Sequence, residues 1–163
     1  MWRSLIGGVR TLAEYIYNEV QQIGLNSPIN FYDSIPCNRG YVIHENGSGI
    51  AILRGIVNNQ CAKYATYQVT YNGNISIPTG GAVTPIAVAI TVNGEQRPTS
   101  RAISSPTAVD TYGNVTSTAI IRVPRGCCFS LSVEYVNGST DPTVTPTPVI
   151  NAINSNLVIT RIS

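Results

Sequence analysis

From about residue 40 onward the chain alternates. Ala65, Tyr67, Val69 and Tyr71 are separated by Thr66, Gln68 and Thr70, and Phe129, Leu131, Val133 and Tyr135 by Ser130, Ser132 and Glu134. A period of two places one set on a buried face and the other on the opposite face of a strand. Ile86, Val88, Ile90 and Val92 alternate with Ala87, Ala89 and Thr91, so both faces of that strand are apolar or small. Shorter runs at Tyr41 to Glu45, Ile50 to Val57, Val115 to Val123 and Leu157 to Ile162 bring the expectation to about eight strands. Four Asn-Gly steps, at Asn46, Asn72, Asn93 and Asn137, punctuate these runs. Asn-Gly suits two-residue hairpin loops, which need φ > 0 at both central positions. Asn72-Gly73 is expected to turn the chain into Ile75 and Ile77. The pattern predicts an antiparallel β domain, a sandwich or jelly roll.

The first residues follow a different rhythm. Trp2, Leu5, Val9, Leu12, Ile16, Val20 and Ile23 recur at spacings of three and four, which predicts an amphipathic helix over residues 2–23. Gly7 and Gly8 weaken it. Such a helix is marginal alone, so its apolar stripe needs a partner: the head's own core, a second copy, or another protein. Trp2, Leu5, Val9, Leu12 and Ile16 are the candidate docking residues. Pro28 and Pro36 mark a connector at residues 24–40. The division drawn is 1–35, helical anchor and connector, and 36–163, head. A Thr- and Pro-rich stretch from Ser139 to Ser155 reads as one long loop.

Composition narrows the function classes. With 43% apolar residues in 163, the chain can bury a core without metal or disulfide staples. Only 11% of residues are charged, the formal net charge is +2, and the single lysine is Lys63. No basic stripe marks a nucleic-acid binder. No run of about 18 apolar residues marks a membrane span. Arg10, Glu14 and Glu19 interrupt any signal-peptide core, so synthesis in a cytoplasm is expected. A surface this poor in charge is expected to be polar and uncharged, and partly hidden in an assembly.

Catalytic chemistry is sparse. The one histidine, His44, lies beside Glu45 on an expected strand and reads as a structural hydrogen-bonder. The eight acids form no calcium-loop pattern, and Gly7-Gly8 and Gly80-Gly81 are too short to cradle phosphate. No catalytic residue, cofactor or metal is expected. Cys37, Cys61, Cys127 and Cys128 lack zinc-ligand spacing; they read as small buried residues with free thiols, a Cys37–Cys61 disulfide being the alternative. Arg97, Arg101, Arg122 and Arg125 read as solvated surface residues or as a carbohydrate-facing patch.

The order of segments carries a resemblance. Tyr64 to Tyr71 leads to Val92-Asn93-Gly94-Glu95, then Pro98, Asn114 to Val123, Pro124-Arg125-Gly126, Phe129 to Val133, and Asn156 to Ile162. Over residues 41–163 this resembles the globular heads of the tumour necrosis factor and complement superfamily, particularly the heads of collagen-like exosporium proteins of bacterial spores. The resemblance implies an all-β fold, an antiparallel jelly-roll β-sandwich, here preceded by the N-terminal amphipathic helix, that assembles as a tight homotrimer. Two features depart from that branch: Gly-X-Y triplets are absent, and Cys127-Cys128 replaces polar residues. A looser resemblance is to small jelly-roll proteins of bacteriophage virions, in which an N-terminal anchor docks on a capsid or tail. The expectation is therefore a non-enzymatic virion head, made in the bacterial host cytoplasm and displayed on the virion surface. Its partners would be itself, a major capsid or tail protein, and a host-surface glycan, with no nucleic acid. A receptor- or glycan-binding tail module and a spore-surface protein are the alternatives.

Overall fold

The computed structural model describes residues 11–36 and 40–163. Twelve strands follow in chain order: β1 Leu12–Tyr17, β2 Gln21–Gly24, β3 Tyr32–Ile35, β4 Val42–His44, β5 Ala51–Arg54, β6 Tyr64–Ser76, β7 Ile86–Val92, β8 Glu95–Gln96, β9 Ala102–Ser104, β10 Gly113–Pro124, β11 Cys128–Asn137 and β12 Val149–Arg161. A 3₁₀ turn, Pro98–Ser100, lies between β8 and β9. Two antiparallel sheets face each other. The first runs β10-β6-β12-β1-β3, with β2 also on β12; the second runs β4-β5-β11-β7-β8, with β9 on β7. Among the described residues no helix is long and apolar enough to cross a membrane.

The inward phase of the alternation builds the core. Tyr15, Phe31, Tyr67, Tyr71 and Tyr135 are its largest fully buried side chains, packed with Leu53, Ile75, Ile86, Ile90 and Ile121. Burying one large apolar side chain contributes about 1.5–3 kcal/mol. A buried phenol must also place its hydroxyl. Tyr67 Oη lies 2.5 Å from the Arg54 carbonyl, Tyr135 Oη donates to the Thr147 carbonyl at 2.5 Å, and Tyr71 Oη pairs with Ser155 Oγ at 3.1 Å. Every residue of β7 is buried. Its second face meets β11 through Ala87, Ala89 and Val136, and Thr91 Oγ1 bonds Ser132.

Three sequence expectations are corrected. The helix over 2–23 is absent where the chain is described: residues 12–17 and 21–24 are strands. A spacing of four is even, so Leu12 and Ile16 share a face in a strand as well as in a helix. The buried phase is Ala13 and Tyr15, and the partner is β12, in register from Leu12↔Thr160 to Tyr17↔Ser155. Trp2, Leu5 and Val9 lie outside the described residues. Second, Asn72-Gly73 is not a turn. β6 runs straight through it, pairing Asn72 with Thr116 and Gly73 with Val115. Glycine is needed there because Tyr71 lays its hydroxyl over position 73, where a Cβ would overlap it. The I′ expectation holds at Asn93-Gly94, with φ of 53° and 79°. Third, the long loop stops at Pro148: β12 begins at Val149, and Ile150 and Ala152 are buried.

The stretch read as a connector is built into both sheets. After β2 the chain crosses to the second sheet. There the Asn26 N–H donates to the Tyr135 carbonyl at 2.8 Å and the Ile29 N–H to the Val133 carbonyl at 2.8 Å, with Pro28 bridged to Glu134. β7 holds one edge of β11, so this segment takes the edge that β5 leaves at Leu131. The chain then returns to the first sheet as β3, on the free edge of β1.

Candidate functional site

One face of the first sheet packs on the core and the other is open. The register sets the open face in three rungs: Thr116–Asn72–Asn156–Ile16, Thr118–Thr70–Val158–Glu14 and Ile120–Gln68–Thr160–Leu12. The side chains are almost all uncharged. Leu12, Ile16 and Ile120 are 41%, 38% and 49% exposed, which is high for aliphatic residues in the body of a sheet. The polar members are tied to one another: Asn114 Nδ2 donates to Asn72 Oδ1 at 3.0 Å, as does Thr116 Oγ1 at 3.0 Å. Glu14 is held by Asn156 Nδ2 at 3.0 Å and Ser34 Oγ at 2.9 Å.

Of the expected docking residues, the structure places Leu12 and Ile16 on this face, flanking Glu14 on β1. The sequence reading missed Ile120. Its signal was the pair Ile120-Ile121, in which Ile121 is the inward residue and Ile120 an apolar residue in the outward, polar phase of β10.

Chemistry elsewhere is sparse. His44 Nδ1 lies 2.9 Å from Asp33 Oδ1, its Nε2 lies 2.8 Å from the Ser48 carbonyl, and its ring packs against Tyr15 at 4.4 Å. Both ring nitrogens face structural acceptors, and no nucleophilic hydroxyl or thiol stands on either. Among the described residues no three His, Cys, Asp or Glu side chains gather as a metal-binding group. Burial pushes the phenols of Tyr71 and Tyr135 up to about 12 each; for Tyr71 the Ser155 hydrogen bond opposes part of that rise. Thr143 backbone and side-chain hydrogen bonds hold the exposed Asp141 carboxyl below its usual value.

The cysteine expectation is corrected for three of the four residues. Cys61, Cys127 and Cys128 are free and exposed. Cys61 lies in the loop between β5 and β6, and Cys127 and Cys128 sit where the turn after β10 opens β11, so local position overrides their preference for burial. Cys37 lies outside the described residues. The four arginines do not form one patch. Arg122 and Arg125 lie at the β10 end of the first sheet, whereas Arg97 and Arg101 flank the 3₁₀ turn beside β7.

Two five-stranded paths, with the first and last strands as central neighbours, can be compared with known architectures. The Eiger tumour necrosis factor of S. frugiperda superposes with a TM-score of 0.64 at 11% identity, covering 93% of this chain and 92% of that one. The fold is the tumour necrosis factor/C1q-type jelly roll. The globular domain of zebrafish complement 1qA protein aligns with a TM-score of 0.56 at 10% identity, covering 94% and 97% of the two chains. Murine APRIL aligns with a TM-score of 0.55 at 11% identity, covering 93% and 98%. No family model and no curated protein sequence matches the chain. Alternation pointed to a sandwich or jelly roll and the order of segments to the tumour necrosis factor/complement heads; at these identities the likeness speaks for fold alone.

Proposed function

We propose that this chain is a non-enzymatic head that closes into a homotrimer through the open face of its first sheet. The observation that carries this reading is that face: rungs uncharged but for Glu14, with Leu12, Ile16 and Ile120 exposed in the body of a sheet. Self-association covers a surface of this kind, and obligate interfaces resemble a core cut in half. The chain's own near-absence of charge, 11% of residues, fits a molecule whose surface is largely shared with copies of itself. The head is carried on a bacteriophage particle, as a capsid or tail decoration, with its N-terminal end toward the particle. This follows the virion-head resemblance. Loops at the far end, such as residues 138–148, are then free to meet a receptor or glycan.

Multi-angle light scattering of the full chain at micromolar concentration tests the assembly. The expected mass is three chains. Ile120→Arg places an unpaired charge in the contact and should give a folded monomer with unchanged far-UV circular dichroism. A wild-type monomer at that concentration overturns the trimer. Copurification with particles, compared between host lysates with and without phage infection, tests the virion setting.

A further inference from the structure

The charges of the described residues are sorted along the strands. Where β6 and β11 begin and β5, β10 and β12 end, the structure gathers Arg54, Lys63, Arg122, Arg125 and Arg161, and no aspartate or glutamate. At the opposite end lie Asp110 and Asp141, with Glu19 towards it, and there the Arg101 guanidinium donates to the Ser139 carbonyl at 3.2 Å. Glu14, Asp33, Glu45, Glu95, Arg97 and Glu134 lie between. β6 has 13 residues, so the basic pole stands roughly 40 Å from that end. Among the described residues no lysine or arginine is ion-paired with an aspartate or glutamate. In a chain with so few charges, this makes one basic pole.

The basic pole is constructed rather than merely solvated. Arg122 stacks on Tyr64 at 4.1 Å; Arg161 lies over Tyr41 at 4.5 Å, and its Nε donates to Ser163 at 2.8 Å. Arg125 Nη1 donates to the Gln60 carbonyl at 2.5 Å and Arg54 Nη1 to the Gly40 carbonyl at 3.1 Å. Stacked and tethered guanidinium groups lose little freedom on meeting a carboxylate, which their fork binds in two places. Tyr64 and Ile162 are 40% and 49% exposed beside them. Arginine with tyrosine and aliphatic surface, and a single lysine, is the make-up of a protein–protein contact rather than of a phosphate-tracking stripe.

We infer that the basic pole is the seat of the head on an acidic protein surface. The inference rests on the reading of a head carried on a particle and names the chemistry of the contact: clustered carboxylates facing Arg54, Lys63, Arg122 and Arg125. β1 starts at this pole, Leu12 pairing with Thr160 beside Arg161. Positive charge gathered at one end of the molecule steers its approach in that orientation.

Fluorescence anisotropy with labelled poly-L-glutamate and labelled oligothymidylate, on the full chain at low salt, tests the inference. Poly-L-glutamate should bind more tightly. Lys63→Glu and Arg125→Glu should each weaken it by about tenfold, whereas Arg97→Glu, of equal charge change but away from the basic pole, should weaken it less than about twofold. Tighter binding of oligothymidylate, no binding of either, or equal loss from Arg97→Glu overturns the inference. Light scattering on the same variants reads the trimer separately, because Lys63 and Arg125 lie off the open face. Scattering mass that grows beyond three chains at low salt also overturns it, since the basic pole then takes carboxylates of another copy.

Discussion

A single methylene separates tolerance from strain at position 73. Gly73 and Tyr71 share the inward face of β6, and the phenol oxygen occupies the space a Cβ would need. Gly73→Ala should displace that hydroxyl from Ser155 and cost about 1–3 kcal/mol, read as a lower denaturation midpoint. The same change in a Tyr71→Phe background should cost less, because the nearest overlapping atom is gone and only the ring carbon Cζ, at 2.8 Å, remains. The buried phenols also set an alkaline limit. Burial pushes Tyr71 and Tyr135 up to about 12 in the folded chain, against an ordinary phenol value of 10.0. A raised folded value favours the protonated form in the native state, so its stabilising effect is complete below pH 10 and is lost as pH climbs towards 12. The thermal midpoint should therefore be insensitive to these phenols from pH 7 to 9 and fall between pH 10 and 12. Tyr135→Phe should flatten part of that fall. A midpoint unchanged at pH 11.5 would show that neither phenol ionises on unfolding.

The first three strands decide the fate of the sheet. β1 lies between β12 and β3, and the segment between β2 and β3 hydrogen-bonds β11. A fragment of residues 36–163 loses all of this and leaves one edge of β12 unpaired. It should aggregate or fail to melt cooperatively, whereas residues 11–163 should melt as one unit; differential scanning calorimetry of both checks this. The sequence showed β4, β5, β7, β10 and β11 plainly, because each is a run of alternation or of small apolar residues closed by glycine, proline or asparagine. It hid β1 because Leu12 and Ile16 satisfy a helical and a strand spacing alike, and only pairing with Ser155 to Thr160 decides between them. It hid the unbroken β6 because Asn-Gly is turn chemistry wherever strand neighbours do not override it. Leu12 and Ile16 were legible as apolar residues in want of a contact. The sheet face that carries them, and Ile120 across it, were not, because a rung is a property of register and register is not written in any one segment.

At the scale of the molecule, two directions organise everything: along the strands, away from the basic pole, and across the first sheet, from the core to the open face. The proposed trimer uses the second and leaves the first intact, so a ring of copies aligned along their strands would present three basic poles on one side. The centre of the first sheet has a further property. β1 meets β12 there, and Glu14 and Asn156, which touch across the seam, are 142 residues apart in sequence. On the ribosome β1 is made early, and then waits while almost all of the remaining chain is synthesised before its neighbour exists. During that interval β1 and β6 are both missing the strand that lies between them, and each offers a bare edge to any other nascent chain. Substitutions that speed unproductive edge pairing therefore act on the yield of native molecules per chain begun, a quantity that no melting curve of the finished protein records.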